Sequence, residues 1–322
     1  VWVTAHDGGL LRMRDGKQER WTTADGLASN SLRSILMDRR GRLWIGTNEA
    51  GLTVRQQGRF LHYGPADGLE SDQIRAIHED HAGTIWVGTR ATGLYRLEES
   101  EGGAKGRFRP VPIRAGPNGL AIRAIHEDRQ GALWIGMESG GLARIYRGQV
   151  DLLDTTKGLP HNFVRTLLED SEGNLWVGTR GGLLRLRDRT VETWTTTEGL
   201  INDNVKTVLA DGSGSVWIGT ATGLNVLRGG RVKLVPLSGD SSKDFVRALA
   251  KGRDATIWIG TDAGIYQHSP QRLTHYGLGD GLPDNRVRSI AQDRKGRVWI
   301  GTVSGLAVLQ DGSLVAPHAL LG

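Results

Sequence analysis

Eight tryptophans at near-constant spacing, each heading the same short phrase, predict an all-β fold, a β-propeller of four-stranded blades. They are Trp2, Trp44, Trp86, Trp134, Trp176, Trp217, Trp258 and Trp299, separated by 42, 42, 48, 42, 41, 41 and 41 residues. The phrase reads Trp-(Ile/Val)-Gly-Thr in its full form, and Gly-Leu follows a few residues on. Each period carries several short apolar runs of strand length bounded by turn residues, with no sustained 3.6-residue periodicity. Glycine, at 47 of 322 residues, recurs at turn positions once per period and is not low complexity.

The unit around Trp299 shows each element in order. Val287–Gln292 follows Asp280-Gly281-Leu282 and reads as innermost strand A. Asp293-Arg294-Lys295-Gly296 is a tight turn, because Asp accepts from backbone N–H groups ahead of it and Gly takes positive φ cheaply. Residues 297–302 form strand B with the tryptophan, and 305–309 form strand C. Residues 272–276 show outer strand D in the preceding unit. The turn aspartate stands six residues before the tryptophan at Asp38, Asp80, Asp128, Asp170, Asp211 and Asp293. The Trp258 unit departs, with Gly252 there and Ala255 where the turn glycine belongs. This order puts the D-to-A connections and B-to-C loops at one end of the propeller, the top. The long step of 48 comes from residues 98–106, expected as a solvated loop between strands C and D.

Other classes are excluded by composition. The chain has no cysteine, which removes disulfides, thiol chemistry and cysteine metal sites. No run approaches the ~18 apolar residues of a membrane span. The chain opens in the middle of a unit and closes on a weak outer strand near 314–316. The expectation is one propeller domain over residues 1–322, a segment of a longer receptor whose first blade is incomplete, with seven or eight blades. Membrane attachment would then lie in segments outside this chain.

Two stretches carry the phrase almost entire, 67–97 and 280–309: Asp-Gly-Leu, a polar stretch, strand A, the turn, Trp-(Ile/Val)-Gly-Thr and Gly-Leu. In this order the phrase resembles the two-component regulator propeller repeat, and the resemblance covers essentially the whole chain. It implies an extracytoplasmic, periplasmic sensor propeller of a hybrid histidine kinase or diguanylate cyclase receptor. It implies ligand binding, often of carbohydrate, with no catalytic residues and no cofactor.

The candidate binding residues come from register. Eleven residues before the tryptophan stand Arg33, Arg75, Arg123, Arg165, Lys206, Arg247 and Arg288, basic in all seven units. The net charge is +6, and without these seven residues it would be −1. Such a cationic mouth of the channel would attract an anion. Asn30, Asp72, Asn162, Asp203, Asp244 and Asp284, in the D-to-A loops, are the expected neutralising partners if the cations are interblade glue. A second set lies on the rim, in the B-to-C loops: Asn48, Glu49, Arg90, Glu138, Arg180 and Asp262. These loops take eight residues from tryptophan to leucine in the first four units and seven in the last four, where the Trp258 unit has Ile265 in place of the leucine.

The readings that follow are a sensor for a small-molecule or oligosaccharide ligand, then a protein-interaction or dimerisation scaffold, then a propeller-type lyase. Nothing in the sequence makes a catalytic or metal site. His78 and His126 are repeat-equivalent strand residues, and Trp21, Trp194, Tyr63 and Tyr276 read as outer-strand packing. Nucleic acid is not expected as a partner, because the excess charge maps to the axis rather than to a surface stripe.

Overall fold

The computed structural model describes residues 2–5, 8–14, 17–100, 105–113, 120–187, 190–238 and 244–315. The fold is an all-β, eight-bladed β-propeller, settling the blade count that the sequence left at seven or eight. The blades, numbered here 1 to 8, are antiparallel sheets over residues 2–21, 32–63, 74–111, 122–153, 164–194, 205–235, 248–276 and 287–315. Blades 2 to 8 have four strands in simple order, and blade 1 has three described strands, Trp2–Ala5, Gly9–Arg14 and Lys17–Trp21. Short 3-10 turns such as Thr23–Asp25, Pro65–Asp67 and Thr196–Glu198 are the helical elements of the D-to-A connections. Among the described residues no helix is long and apolar enough to cross a membrane.

Each letter of the repeated phrase has a physical task. The tryptophan is buried or half-buried, and its Nε1 donates to the turn aspartate six residues earlier: Trp44 to Asp38 at 2.8 Å and Trp134 to Asp128 at 2.7 Å. The other carboxylate oxygen collects turn N–H groups, as Asp38 does from Arg40 at 3.0 Å and Arg42 at 2.8 Å. One side chain thus closes the turn and satisfies a buried indole. The glycine is required by close approach, because the next blade's strand A abuts it. A Cβ at Gly88 would lie 2.5 Å from Ile122, and one at Gly260 would lie 2.6 Å from Val287. The threonine hydroxyl ties off the B-to-C loop, with Thr47 Oγ1 donating to Gly51 O at 2.9 Å.

Outer strands pack as expected. Trp194 and Tyr63 are buried, and Trp176 stacks on Trp194 at 5.6 Å between centroids. The insertion at 98–106 joins Leu94–Glu98 to Arg107–Val111, as the sequence placed it. Its described ends are anchored rather than freely solvated. Glu99 pairs with Arg40 and with Arg42 (2.8 Å), and Lys105 Nζ meets Asp67 at 2.6 Å. Residues 101–104 lie outside the described set.

The chain divides into two compact units. The first holds Trp2–Arg12 and Glu19–Leu167, and the second holds Met13–Gln18 and the chain from Leu168 onward. Each has its own apolar clusters. Trp44, Tyr63, Ile74 and Phe108 lie in one cluster of the first unit, and Trp258, Val287 and Ile300 in one of the second.

Candidate anion site on the inner strands

The basic position is a β-bulge. Strand A slips register against strand B between Leu32 and Ser34, Ile74 and Ala76, Ile122 and Ala124, Val205 and Thr207, and Val287 and Ser289. The skipped residue in each case is the cation: Arg33, Arg75, Arg123, Lys206 or Arg288. A bulge leaves its extra residue outside the ladder and re-aims its side chain. In blade 7, Arg247 stands just before strand A, its N–H bonded to Gly260 O at 2.8 Å.

The B-to-C loops reach the same end of the blade. Asn48 N bonds Ser31 O at 3.0 Å, Arg90 N bonds Gln73 O at 3.0 Å, and Glu138 N bonds Ala121 O at 2.9 Å. Rim and bulge are therefore one structural unit in each blade, and the rim side chain fifteen residues on faces the cation. Arg33 Nη1 reaches Asn48 Oδ1 at 3.5 Å, while Asn48 Nδ2 donates to Ser31 Oγ at 3.0 Å. Arg123 gives Glu138 Oε2 two bonds, from Nε at 3.1 Å and Nη2 at 2.8 Å. Arg247 forks onto Asp262, Nε to Oδ1 at 2.5 Å and Nη2 to Oδ2 at 2.7 Å. In blade 3 the facing residue is another cation: Arg90 opposes Arg75 and donates instead to Gln73 Oε1 at 3.1 Å. Glu49 accepts from Ser29 Oγ at 3.0 Å, and Arg180 is exposed in the loop after strand B of blade 5.

These pairs correct one expectation. Several D-to-A side chains named as neutralising partners serve their own 3-10 turns. Asn30 Oδ1 accepts from Thr23 N at 2.9 Å, Asn162 Oδ1 from Thr155 N at 2.9 Å, and Asp203 Oδ1 from Thr196 N at 2.6 Å. Asp284 is held by Arg286 and Ser304. For the bulge cations that fork onto a carboxylate, Arg123 and Arg247, the carboxylate is the rim residue of the same blade, whereas Asp284 still lends Arg288 a favourable charge.

Electrostatics separates the cations. In the first unit, partial burial and then the charges of Arg33, Arg123 and Arg90 pull Arg75 down to about 10, with Glu138 opposing. Arg33 is lowered by partial burial, then by Arg123 and Arg90. Arg33, Arg75, Arg90 and Arg123 thus form one mutually repelling cluster. In the second unit, Arg288 is lowered by partial burial and then Arg247, but Asp262 and Asp284 both oppose.

Two aromatic residues escaped the sequence reading. Phe163 and Phe245, thirteen residues before their tryptophans, each lie between two bulge cations. Arg123 and Arg165 sit 5.1 and 5.2 Å from the Phe163 centroid, and Lys206 and Arg247 sit 4.8 and 4.0 Å from that of Phe245. The signal was an aromatic at the position that elsewhere holds Ser31, Gln73 or Asn204. Such contacts support a cation on its hydrophobic side without cancelling its charge.

Five segments, 26–49, 68–91, 116–139, 158–181 and 281–304, match the two component regulator propeller family. Each match runs from the D-to-A connection through the bulge cation to the rim. Among solved structures, the extracellular domain of a hybrid two component system from B. thetaiotaomicron superposes with a TM-score of 0.62 at 20% identity. That alignment covers 86% of this chain and 37% of that domain, so the chain spans well under half its length. PorZ of the type-IX secretion system of Porphyromonas gingivalis gives 0.64 at 18% identity, over 95% of this chain and 50% of that one. Virginiamycin B lyase from Staphylococcus aureus gives 0.63 at 14%, over 88% and 94%. At these identities the likeness is one of fold. No curated protein matches the sequence.

Proposed function

Because five segments of the chain match the two component regulator propeller repeat, we propose that it is the ligand-sensing propeller of a transmembrane signalling receptor, working outside the cytoplasm, and that it binds a small polyanion such as an acidic or sulfated oligosaccharide. The extracellular position of a similarly folded two component domain supports that setting. The observation that carries the ligand class is the cluster of Arg33, Arg75, Arg90 and Arg123, with Glu138 as its opposing carboxylate. Partly buried like charges raise the free energy of the unliganded protein, and an anion that bridges them relieves it. Guanidinium groups also suit bidentate carboxylate and sulfate oxygens.

Binding without catalysis is the reading these residues support. Guanidinium groups stay protonated near neutral pH and make poor general acids and bases. The resemblance to a lyase is therefore read as shared architecture alone.

Calorimetric titration with a sulfated disaccharide, beside a neutral disaccharide of the same size, tests the proposal. Saturable binding that weakens with salt is expected for the sulfated sugar only. Arg75→Gln with Arg90→Gln should cost at least about tenfold in affinity, since each charge-assisted bond contributes roughly 1.5–3 kcal/mol. Equal binding of both sugars, or full affinity in the double variant, would refute the anion reading.

A scaffold role keeps one observation in its favour. Leu61, Val150, Val191, Leu234 and Leu273, on the outer strands of five blades, are each 37–56% exposed. Sedimentation at rising concentration distinguishes a dimerising propeller from a monomeric one.

A further inference from the structure

Among the described residues six indoles hydrogen-bond an aspartate, and one equivalent indole has nothing to bond. Trp44, Trp86, Trp134, Trp176, Trp217 and Trp299 donate to their turn carboxylates at 2.7–3.2 Å. In blade 7 the aspartate is Gly252, and Trp258 Nε1 is buried with no hydrogen-bond partner while the residue is 4% exposed. The turn has lost its glycine too, so Asp254 and Ala255 take positive φ, 50° and 57°. An unpaired buried N–H costs about 1–3 kcal/mol, and a non-glycine residue in the left-handed region adds of the order of 1 kcal/mol. Two departures from one repeat therefore fall together, and both destabilise the same turn.

Beside this turn, between blades 7 and 8 and wholly within the second unit, lies a cleft of about 710 Å³. The corresponding clefts where the aspartate is kept measure about 170 Å³ between blades 5 and 6 and about 450 Å³ between blades 3 and 4. Trp258 and Tyr276 give the larger cleft its aromatic wall, Gln267 and Gln292 its amides, Arg253 and Lys295 its cations, and Asp254 and Asp311 its carboxylates. A third cation, Arg297, is already paired with Asp293 at 2.7 Å. The volume suits a small molecule with a few convergent polar groups.

We propose that this cleft binds a small carboxylate, whose carboxyl group takes the Trp258 indole N–H that an aspartate takes in six other blades. The repeat itself supplies the chemistry, since a carboxylate oxygen is the acceptor matched to that indole. Arg253 and Lys295 offset the charge of the ligand together with that of Asp254 and Asp311, and Gln267 hydrogen-bonds its remaining polar groups, because Gln292 Nε2 already donates to Gly296 O at 2.8 Å. The indole N–H is itself buried, so the ring must turn toward the cleft for a ligand to reach it. A Cβ at Gly252 would lie 2.7 Å from Trp258 Nε1, so the indole already leans over the glycine and must yield slightly to the ligand. This site is separate from the arginine cluster and independent of what binds there.

Indole N–H resonances of the nitrogen-15-labelled chain read the site directly, with Trp258 identified by its loss in Trp258→Phe. Propionate, lactate, succinate and benzoate are the probes, and propionamide is the neutral control. At least one carboxylate should shift the Trp258 resonance saturably, with propionamide at least about tenfold weaker, the loss expected for a charge-assisted bond. The shift should persist in the Arg75→Gln, Arg90→Gln protein. Gln267→Leu should weaken binding several-fold, and Gly252→Asp, if it folds, should abolish it. The proposal fails if none of the four carboxylates moves Trp258, if propionamide acts equally, or if the effect vanishes with the arginine cluster.

Discussion

Arg75 in the first unit and Arg247 in the second occupy the same register of the repeat, yet one faces an arginine and the other an aspartate. Around Arg75 gather Arg33, Arg90 and Arg123 against Glu138, whereas around Arg288 gather Arg247 and Arg286 against Asp262 and Asp284. The backbone device is the same, a cation presented at the inner end of the blade. What differs is the rim side chain fifteen residues later. The loop that carries it differs as well: Thr89 closes on the carbonyl four residues ahead, and Thr261 on the one three ahead. A repeat can thus keep its cation everywhere and switch its availability blade by blade through one loop residue. In blade 3 the rim residue adds a second cation beside Arg75, and in blade 7 Asp262 consumes the charge of Arg247.

Reversing the rim charge in blade 3 should break this contrast most completely. Arg90→Glu would give Arg75 the partner that Glu138 gives Arg123, and would put a negative group beside any bound anion. Affinity for a sulfated disaccharide should fall about a hundredfold, roughly 2.7 kcal/mol, from losing one charge-assisted bond and adding a repulsion. An affinity within a factor of three of the parent chain would show that the cluster does not receive the ligand.

Removing the second unit's carboxylate should register as stability instead. Asp262→Ala leaves Arg247 partly buried against Phe245 with its fork unmet, and about 1–2 kcal/mol should be lost in urea unfolding. Arg90→Ala, which relieves repulsion while losing only the bond to Gln73, should stay within about 0.5 kcal/mol. Equal losses in the two variants would erase the distinction between the clusters.

The propeller was legible because turn, tryptophan and glycine recur at fixed spacing in most units, so eight weak signals reinforce one another. The cations were legible for the same reason. Their partners were not, because the fifteen-residue step from bulge to rim runs down strand A and back up strand B, and no local rule specifies it. Asn30, Asn162 and Asp203 looked like partners by proximity in sequence, but the 3-10 turns before them hold unmet N–H groups that bind those side chains first. The six-residue spacing of Asp38 and Trp44 was visible as a turn. Only the folded hairpin shows that the carboxylate also caps the indole, and hence that Trp258 is the exception.

A subtler change tests whether Glu138 restrains the first cluster. Glu138→Gln keeps the shape of the Arg123 contact and removes the opposing charge, so sulfated-sugar affinity should rise two- to fivefold at low salt and converge with the parent at high salt. Stability should drop by less than about 1 kcal/mol, since both side chains of the pair are partly exposed. Unchanged affinity across the salt range would mean that Arg123 lies outside the anion's reach.

The smallest effect expected is one of pH, and it belongs to the second unit. Asp284 accepts from Arg286 Nε at 3.1 Å and Nη2 at 2.8 Å, from Arg286 N at 2.8 Å and from Ser304 Oγ at 2.8 Å. These bonds, the Arg286 side chain's first, hold its carboxyl far below the ordinary 3.8. A depressed carboxylate adds stability that is complete above the unfolded value and fades as pH falls through the folded one. Between pH 4 and pH 3, where ordinary carboxylates protonate, Asp284 should therefore stay ionised and bound to Arg286. Carbon-13 carboxyl shifts read this residue by residue. Ser304→Ala should move the midpoint up slightly and Arg286→Gln should move it up further, because the guanidinium supplies the larger share. An Asp284 midpoint near 3.8 in the parent chain would show that the pair is loose in solution. Arg286 would then be a free cation, and the second cluster would resemble the first more closely than its rim residues suggest.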